Sequence, residues 1–293
     1  MQIVRLGSRT ATPRLVLVDG AHLWPFEAAD VSLADLLHLS GDELRARVQA
    51  LARTEPSPAS SDPLLAPIDG QTEVWAAGVT YQPSEQARVE ESGTPDIYTR
   101  VYTAERPELF FKATPRRVAG PDQPIAVRAD STWDVPEPEL AVVVNAQAEI
   151  VGYMVANDVS SRSIEGDNPL YLPQAKVYAG SCALGPGVTP VWDVPDPYAL
   201  DIRMAIARRD GSNWNGQTST SELKRGLDEL VEYLFREDTF PDGVILCTGT
   251  ALVPDSPFTL EPGDVVEIQI DQLGTLRNPV VRGKAELRSS GRN

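Results

Sequence analysis

The strongest limit on the fold comes from the length of the apolar runs. The longest, such as Leu140 to Val144 and Val244 to Cys247, hold five residues or fewer. That suits buried strands and falls far short of the roughly 20 residues needed to span a bilayer. Strand-like runs recur as Val74 to Val79, Leu109 to Lys112, Ile125 to Arg128, Glu139 to Val144, Ile150 to Val155, Leu200 to Ala207 and Val265 to Ile270, with turn residues between them at irregular intervals. No sustained alternation of strand with helix is visible, so a mixed sheet rolled on itself is expected rather than a doubly wound parallel sheet. One clear helix interrupts it, from about Ser221 to Phe235, with Leu223, Leu227, Leu230, Val231 and Leu234 on one stripe and Ser219 to Glu222 as a capping box. It reads as a packing helix.

The first part of the chain reads as a small α/β module, with a short strand from Leu15 to Asp19 and a helical pattern from Ser32 to Arg53. The stretch Glu55 to Asp69 follows, where four prolines and three serines argue against regular structure. The expected division is therefore a module over residues 1–68 and a main domain over residues 69–293. A chain of 293 residues is long enough to bury a sizeable core.

Charge and residue usage exclude several function classes. Lys plus Arg come to 26 and Asp plus Glu to 42, a formal net charge of -16 that repels nucleic acid and anionic membranes. Two cysteines, Cys182 and Cys247, make no disulfide framework and no CxxC, which points to a reducing cytoplasm. The N-terminus lacks the apolar centre of a signal peptide. The two histidines, His22 and His38, both lie in the small module, so an HExxH zinc site is impossible. GxSxG, GxxxxGK[ST] and GxGxxG do not occur. Chemistry in this chain has to run on carboxylates, lysines, hydroxyls or a bound metal.

The segment DVPEPEL (Asp134 to Leu140) is the most informative. On a strand, Glu137 and Glu139 project to one face while Leu140, Val142 and Val144 point the other way. A second strand follows the turn at Asn145 to Glu149 and ends in Asn157-Asp158. If the two form a hairpin, Asp158 returns near Glu137. Three converging carboxylates suit a hard cation that keeps some waters, Mg²⁺ or Mn²⁺, better than zinc. The competing reading is an exposed acidic strand edge, with Pro138 marking the edge and Asp158 capping a helix that begins near Ser160. Among only four lysines, Lys112 and Lys176 sit between apolar or small residues, where an ammonium needs a partner or a function. Lys224 reads as helix surface. For Lys176 a buried ion pair stays open as the alternative. The turn in VILCTGT (Val244 to Thr250) offers backbone amides and a hydroxyl to a carboxylate.

In this order, the E-x-E-L strand, GYMVANDVSSR (Gly152 to Arg162), Lys176 ahead of a Leu184-Gly185-Pro186 turn, CTGTA (Cys247 to Ala251) and LEPGDVVEIQIDQLGTLRNPV (Leu260 to Val280) resemble the fumarylacetoacetate hydrolase superfamily. The similarity runs from about residue 70 to the end. RPELFFKATP (Arg106 to Pro115), VPEPELAVV and DNPLYLPQAKVYAG (Asp167 to Gly180) are most similar to its 2-keto-3-deoxy-D-arabinonate dehydratase branch. The resemblance implies an α+β fold with a mixed β-sheet roll, a divalent metal (Mg²⁺, with Mn²⁺ or Ca²⁺ as substitutes) and a homodimer or homotetramer acting on a small 2-keto acid. It implies Glu137, Glu139 and Asp158 as metal ligands, with Lys176, Arg162 and Thr250 facing the substrate.

Two departures from the superfamily pattern stand out. The histidine usual on a lid after VWAAGVTYQPSEQ (Val74 to Gln86) is missing, and Ser163 follows Arg162 where an aspartate is usual. The first removes a base for water activation and turns the expectation from C–C hydrolysis toward dehydration of a 2-keto-3-deoxy sugar acid. Glu108 and Lys176 are then the expected acid–base pair, with the order between them open, and Tyr81 an expected substrate contact at the root of a lid spanning Pro83 to Thr103. The alternatives are an acylpyruvate- or fumarylpyruvate-type hydrolase or keto-acid decarboxylase on the same metal site, and a keto-acid-binding protein without turnover.

Overall fold

Among the described residues the strands pair as two large sheets and one two-stranded ladder. The computed structural model describes residues 1–7, 12–26, 31–81 and 101–290. The chain opens with β1 (Gln2–Leu6), β2 (Arg14–Asp19), β3 (His22–Pro25), α1 (Leu33–Leu37) and α2 (Gly41–Leu51), then β4 (Leu64–Leu65), β5 (Glu73–Gly78), β6 (Glu108–Ala113), β7 (Val118–Ala119), β8 (Ile125–Val127) and β9 (Asp134–Val135). The hairpin β10 (Pro138–Val144) and β11 (Ile150–Asp158) follows, with β12 (Ser160–Ser161), α3 (Arg162–Asp167), α4 (Leu172–Lys176) and β13 (Cys182–Pro190). Last come β14 (Asp201–Ala207), β15 (Asn213–Ser219), α5 (Leu227–Phe235), β16 (Val244–Cys247), β17 (Val265–Ile270), β18 (Gly274–Arg282) and α6 (Gly283–Ser289).

The larger sheet runs β3-β2-β1-β13-β11-β10-β16-β5-β6, and the smaller runs β15-β14-β17-β18-β8. Antiparallel and parallel pairs are mixed, as expected for this α+β fold; β16 pairs β5 in parallel while β10 and β11 are antiparallel. Both faces of β10 are covered. Leu140, Val142 and Val144 pack against Ile202, Met204, Ile268 and the Leu230 face of α5, and Ala141 and Val143 pack against Leu36, Leu37 and Leu44 of the N-terminal helices. Each such Leu, Val, Ile or Met side chain contributes about 1.5–3 kcal/mol by leaving water. The N-terminal strands are continuous with the main sheet, because β1 pairs β13 at Ile3 and Val188. Among the described residues no helix is long and apolar enough to cross a membrane.

Three local expectations are corrected. The helical pattern from Ser32 to Arg53 is two helices, because Ser40 caps a fresh start with a capping box to Glu43, as Ser32 does with Asp35. The helix expected from Ser221 begins at Leu227. Ser219 caps only a short 3₁₀ turn, and Leu223 and Lys224 bond to the end of the β5 segment at Tyr81 and Thr80 instead. Lys224 therefore precedes the helix, with its ammonium on the Tyr102 carbonyl. The Gly185-Pro186 turn lies inside β13, where the register to β11 shifts between Tyr153 and Val155.

Candidate active site

The hairpin register builds the floor of the site. Pro138 pairs with Asn157 and Glu139 with Ala156, and the Asp158 amide donates to the Glu137 carbonyl at 3.0 Å. The three carboxyls of Glu137, Glu139 and Asp158 are buried, at 3%, 1% and 1% exposure. Each offers an oxygen within 4.8 Å of the others. The exposed-edge reading is thereby overturned: β10 lies between β11 and β16, and Ser161, not Asp158, caps α3.

Cationic and polar donors hold the trio. Lys176 Nζ donates to Glu137 Oε2 at 2.6 Å, Ser160 Oγ at 2.5 Å and Asp158 Oδ2 at 3.2 Å. Lys112, fully buried, pairs with Asp158 Oδ1. Arg162 Nη2 lies 3.5 Å from Glu137 Oε1. The amide of Gly249 donates to Glu139 Oε2 at 2.8 Å, so the carboxylate held by the Thr-Gly-Thr turn is the protein's own. Gly249 has φ +86°, and a Cβ there would sit 2.1 Å from Thr80 Oγ1; only glycine fits. Burial pushes the Glu139 carboxyl well above the usual range, and the neighbouring Asp158 and Glu137 charges push it further.

Above this floor is a small cleft. Glu108, Lys176 and Thr250 line it together with the trio. Glu108 folds over Gly78, where a Cβ would meet its Oε2 at 2.1 Å. Successive side chains on one face of β6, Glu108 and Phe110, form a wall. Glu165, from the first turn of α3, is buried and also faces the cleft. Sequence reasoning passed over it, because a helical glutamate in SRSIEGD carries no signal of burial. Arg162 and Tyr81 are not among the lining residues. Arg162 braces Glu137. Tyr81 is fully buried, and burial followed by the Glu139 charge raises its hydroxyl pKa. Of the lid expected from Pro83 to Thr103, residues 83–100 lie outside the described residues.

The residues present fit a hard divalent cation. The cluster offers oxygen donors alone, and the burial and neighbouring carboxylates that push the Glu139 carboxyl up are the kind of charge crowding a bound cation offsets.

A family model described as fumarylacetoacetate (FAA) hydrolase C-terminal matches residues 74–281. A Haloferax volcanii protein described as a probable 2-keto-3-deoxyxylonate dehydratase is 56% identical over 214 residues, 73% of this chain and 73% of the relative. The 2-dehydro-3-deoxy-D-arabinonate dehydratase of Saccharolobus solfataricus is 46% identical over 218 residues, again 73% of each. A solved structure of 2-keto-3-deoxy-D-arabinonate dehydratase complexed with magnesium and 2,5-dioxopentanoate matches with a TM-score of 0.81 at 35% identity, covering 96% of this chain and 99% of that one.

Proposed function

The chain belongs to the fumarylacetoacetate hydrolase family, and from that premise we propose that it is a hydro-lyase removing water from a 2-keto-3-deoxy sugar acid, taking 2-keto-3-deoxy-D-arabinonate to 2,5-dioxopentanoate. The observation that carries this reading is the placement of Glu108 and Lys176 in one cleft with the buried carboxylate trio. The relatives' names agree chemically. A keto group at carbon 2 and a methylene at carbon 3 erase the stereocentres that distinguish xylonate from arabinonate, so within one series both names describe one molecule.

Glu137, Glu139 and Asp158 hold the divalent cation, Mg²⁺ as in the magnesium complex of the related dehydratase. Bound there, the ion supplies Lewis acidity that polarises the keto acid and acidifies its carbon-3 protons, worth several kcal/mol. Glu108 takes the carbon-3 proton on its carboxylate. Lys176, paired with the Glu137 and Asp158 carboxylates, gives a proton to the departing carbon-4 hydroxyl. Water leaves, moving a proton from carbon 5 to carbon 3 gives the carbon-4–carbon-5 enol, and that enol becomes the aldehyde by losing its hydroxyl proton and gaining one at carbon 4. Each proton transfer is worth roughly 10²- to 10⁴-fold. Thr250 borders the substrate from the cleft wall. Arg162 acts through Glu137, and Tyr81 stands behind Glu139.

Residues 69–293 carry every group in this scheme and form the catalytic domain; residues 1–68 are a small module whose strands extend its sheet. Cys182 and Cys247 are buried and form no disulfide, which supports a cytoplasmic location. A homodimer or homotetramer is expected by size-exclusion chromatography with light scattering. The function is tested by proton NMR of a Mg²⁺-supplemented reaction with 2-keto-3-deoxy-D-arabinonate. An aldehyde signal that disappears after metal stripping is expected. Full-rate turnover by stripped protein would defeat the scheme, and cleavage of an acylpyruvate in its place would favour the hydrolase.

A further inference from the structure

Lys112 takes no part in the chemistry above. Against β5, strand β6 changes register: Val74 pairs with Ala113 and Trp75 with Phe111, leaving Lys112 as the extra residue. A bulge of this kind re-aims the side chain it carries. Here the ammonium is buried beneath the cleft floor, paired with Asp158 Oδ1 and donating to the main-chain carbonyls of Lys176 at 2.5 Å and Val159 at 3.3 Å. Burying a charge this deeply costs several kcal/mol unless partners offset it.

We propose that Lys112 sets the metal selectivity of the site by occupying Asp158 Oδ1, so that Asp158 presents one oxygen to the cation rather than two. This rests on the reading of Glu137, Glu139 and Asp158 as the ligands. Three donors each hold one carboxylate oxygen closely: Lys112 is ion-paired with Asp158 Oδ1, Lys176 holds Glu137 Oε2 at 2.6 Å and the Gly249 amide holds Glu139 Oε2 at 2.8 Å, whereas Asp158 Oδ2 lies farther from Lys176, at 3.2 Å, and Glu137 Oε1 3.5 Å from Arg162. Single-oxygen carboxylates suit a small octahedral ion such as Mg²⁺. Ca²⁺ takes roughly 6–8 oxygens and often grips a carboxylate by both of its own. Of the three donors, Lys112 is the side chain that stands outside the acid–base chemistry, so it can be changed without removing a reacting group.

The readout is the ratio of Ca²⁺ to Mg²⁺ affinity, because losing a nearby cation strengthens attraction to both ions alike. Calorimetric titration of the full chain with each ion compares wild type, Lys112→Met and Lys112→Gln. The methionine variant is expected to raise the ratio about tenfold or more, a typical effect of changing a ligand's outer partner. Glutamine also loses the charge but keeps an N–H for Oδ1, and its ratio is expected to stay near wild type. Equal shifts in both variants, or unchanged ratios in both, would overturn the proposal. Crystals of the wild type soaked in Ca²⁺ give a measurement that needs no variant to fold: Lys112 is expected to stay on Oδ1, and a two-oxygen Asp158 with Lys112 displaced refutes the idea. Wild type binding neither ion would instead defeat the ligand reading itself.

Discussion

At the scale of single residues, burial rather than identity decides what each carboxyl does. Glu108 is half-buried at the cleft, and Glu108→Gln is expected to bind Mg²⁺ as the wild type does while kcat falls by roughly 10²- to 10⁴-fold. Steady-state kinetics beside a binding titration checks this, and unchanged turnover removes Glu108 from the mechanism. Asp134 is a different case: burial pushes its carboxyl up to about 6, against lowering by Ser131 and the Arg128 amide. An acid whose pKa is raised on folding costs nothing while it is protonated in both states. The cost grows as pH rises from the unfolded value through the folded one, reaching about 3 kcal/mol near neutrality. Asp134→Asn is therefore expected to flatten stability between pH 4 and pH 6 and to make the protein more stable at pH 7, as read by urea denaturation at each pH.

At the scale of elements, the carboxylate trio depends on two turns meeting. The β10–β11 hairpin returns Asp158 to Glu137, and the turn after β16 supplies the Gly249 amide to Glu139. Thr248 ties that turn to β10, with its amide at 3.0 Å and its hydroxyl at 2.8 Å from the Leu140 carbonyl. Gly249→Ala would place a Cβ against Thr80 at a positive φ. It is expected to destabilise the fold by roughly 1–3 kcal/mol and to weaken Mg²⁺ binding, because the strained turn moves away from Glu139. A thermal melt and a Mg²⁺ titration of the same variant test both parts; normal metal affinity in a destabilised variant would show that the amide does not anchor the ligand. The hairpin was legible from the E-x-E strand and its apolar alternation. The late start of α5 was not, since its leucine stripe says nothing of Leu223 being taken by Tyr81.

At the scale of the whole molecule, a protein of net charge -16 concentrates buried cations at one place, Lys112, Lys176 and Arg162, around three buried carboxylates. A cation that binds only the folded state stabilises it by mass action, about 2.7 kcal/mol at a concentration 100 times its Kd. Saturating Mg²⁺ is accordingly expected to raise the melting temperature of wild type, and the rise is expected to vanish in Glu139→Gln; an equal rise in both would place the ion elsewhere. The amino-acid sequence by itself determined the short strands, the turn between β10 and β11 and the residue types that suit a hard cation, because alternation and turn chemistry act over a few neighbouring residues. Tertiary structure alone decided that Lys176 meets Glu137 across 39 residues and that Gly249 meets Glu139 across 110. It also decided that Glu165 is buried and that Lys112 lies under Asp158. Such meetings follow from strand order and sheet packing, and no local pattern encodes which distant strands become neighbours.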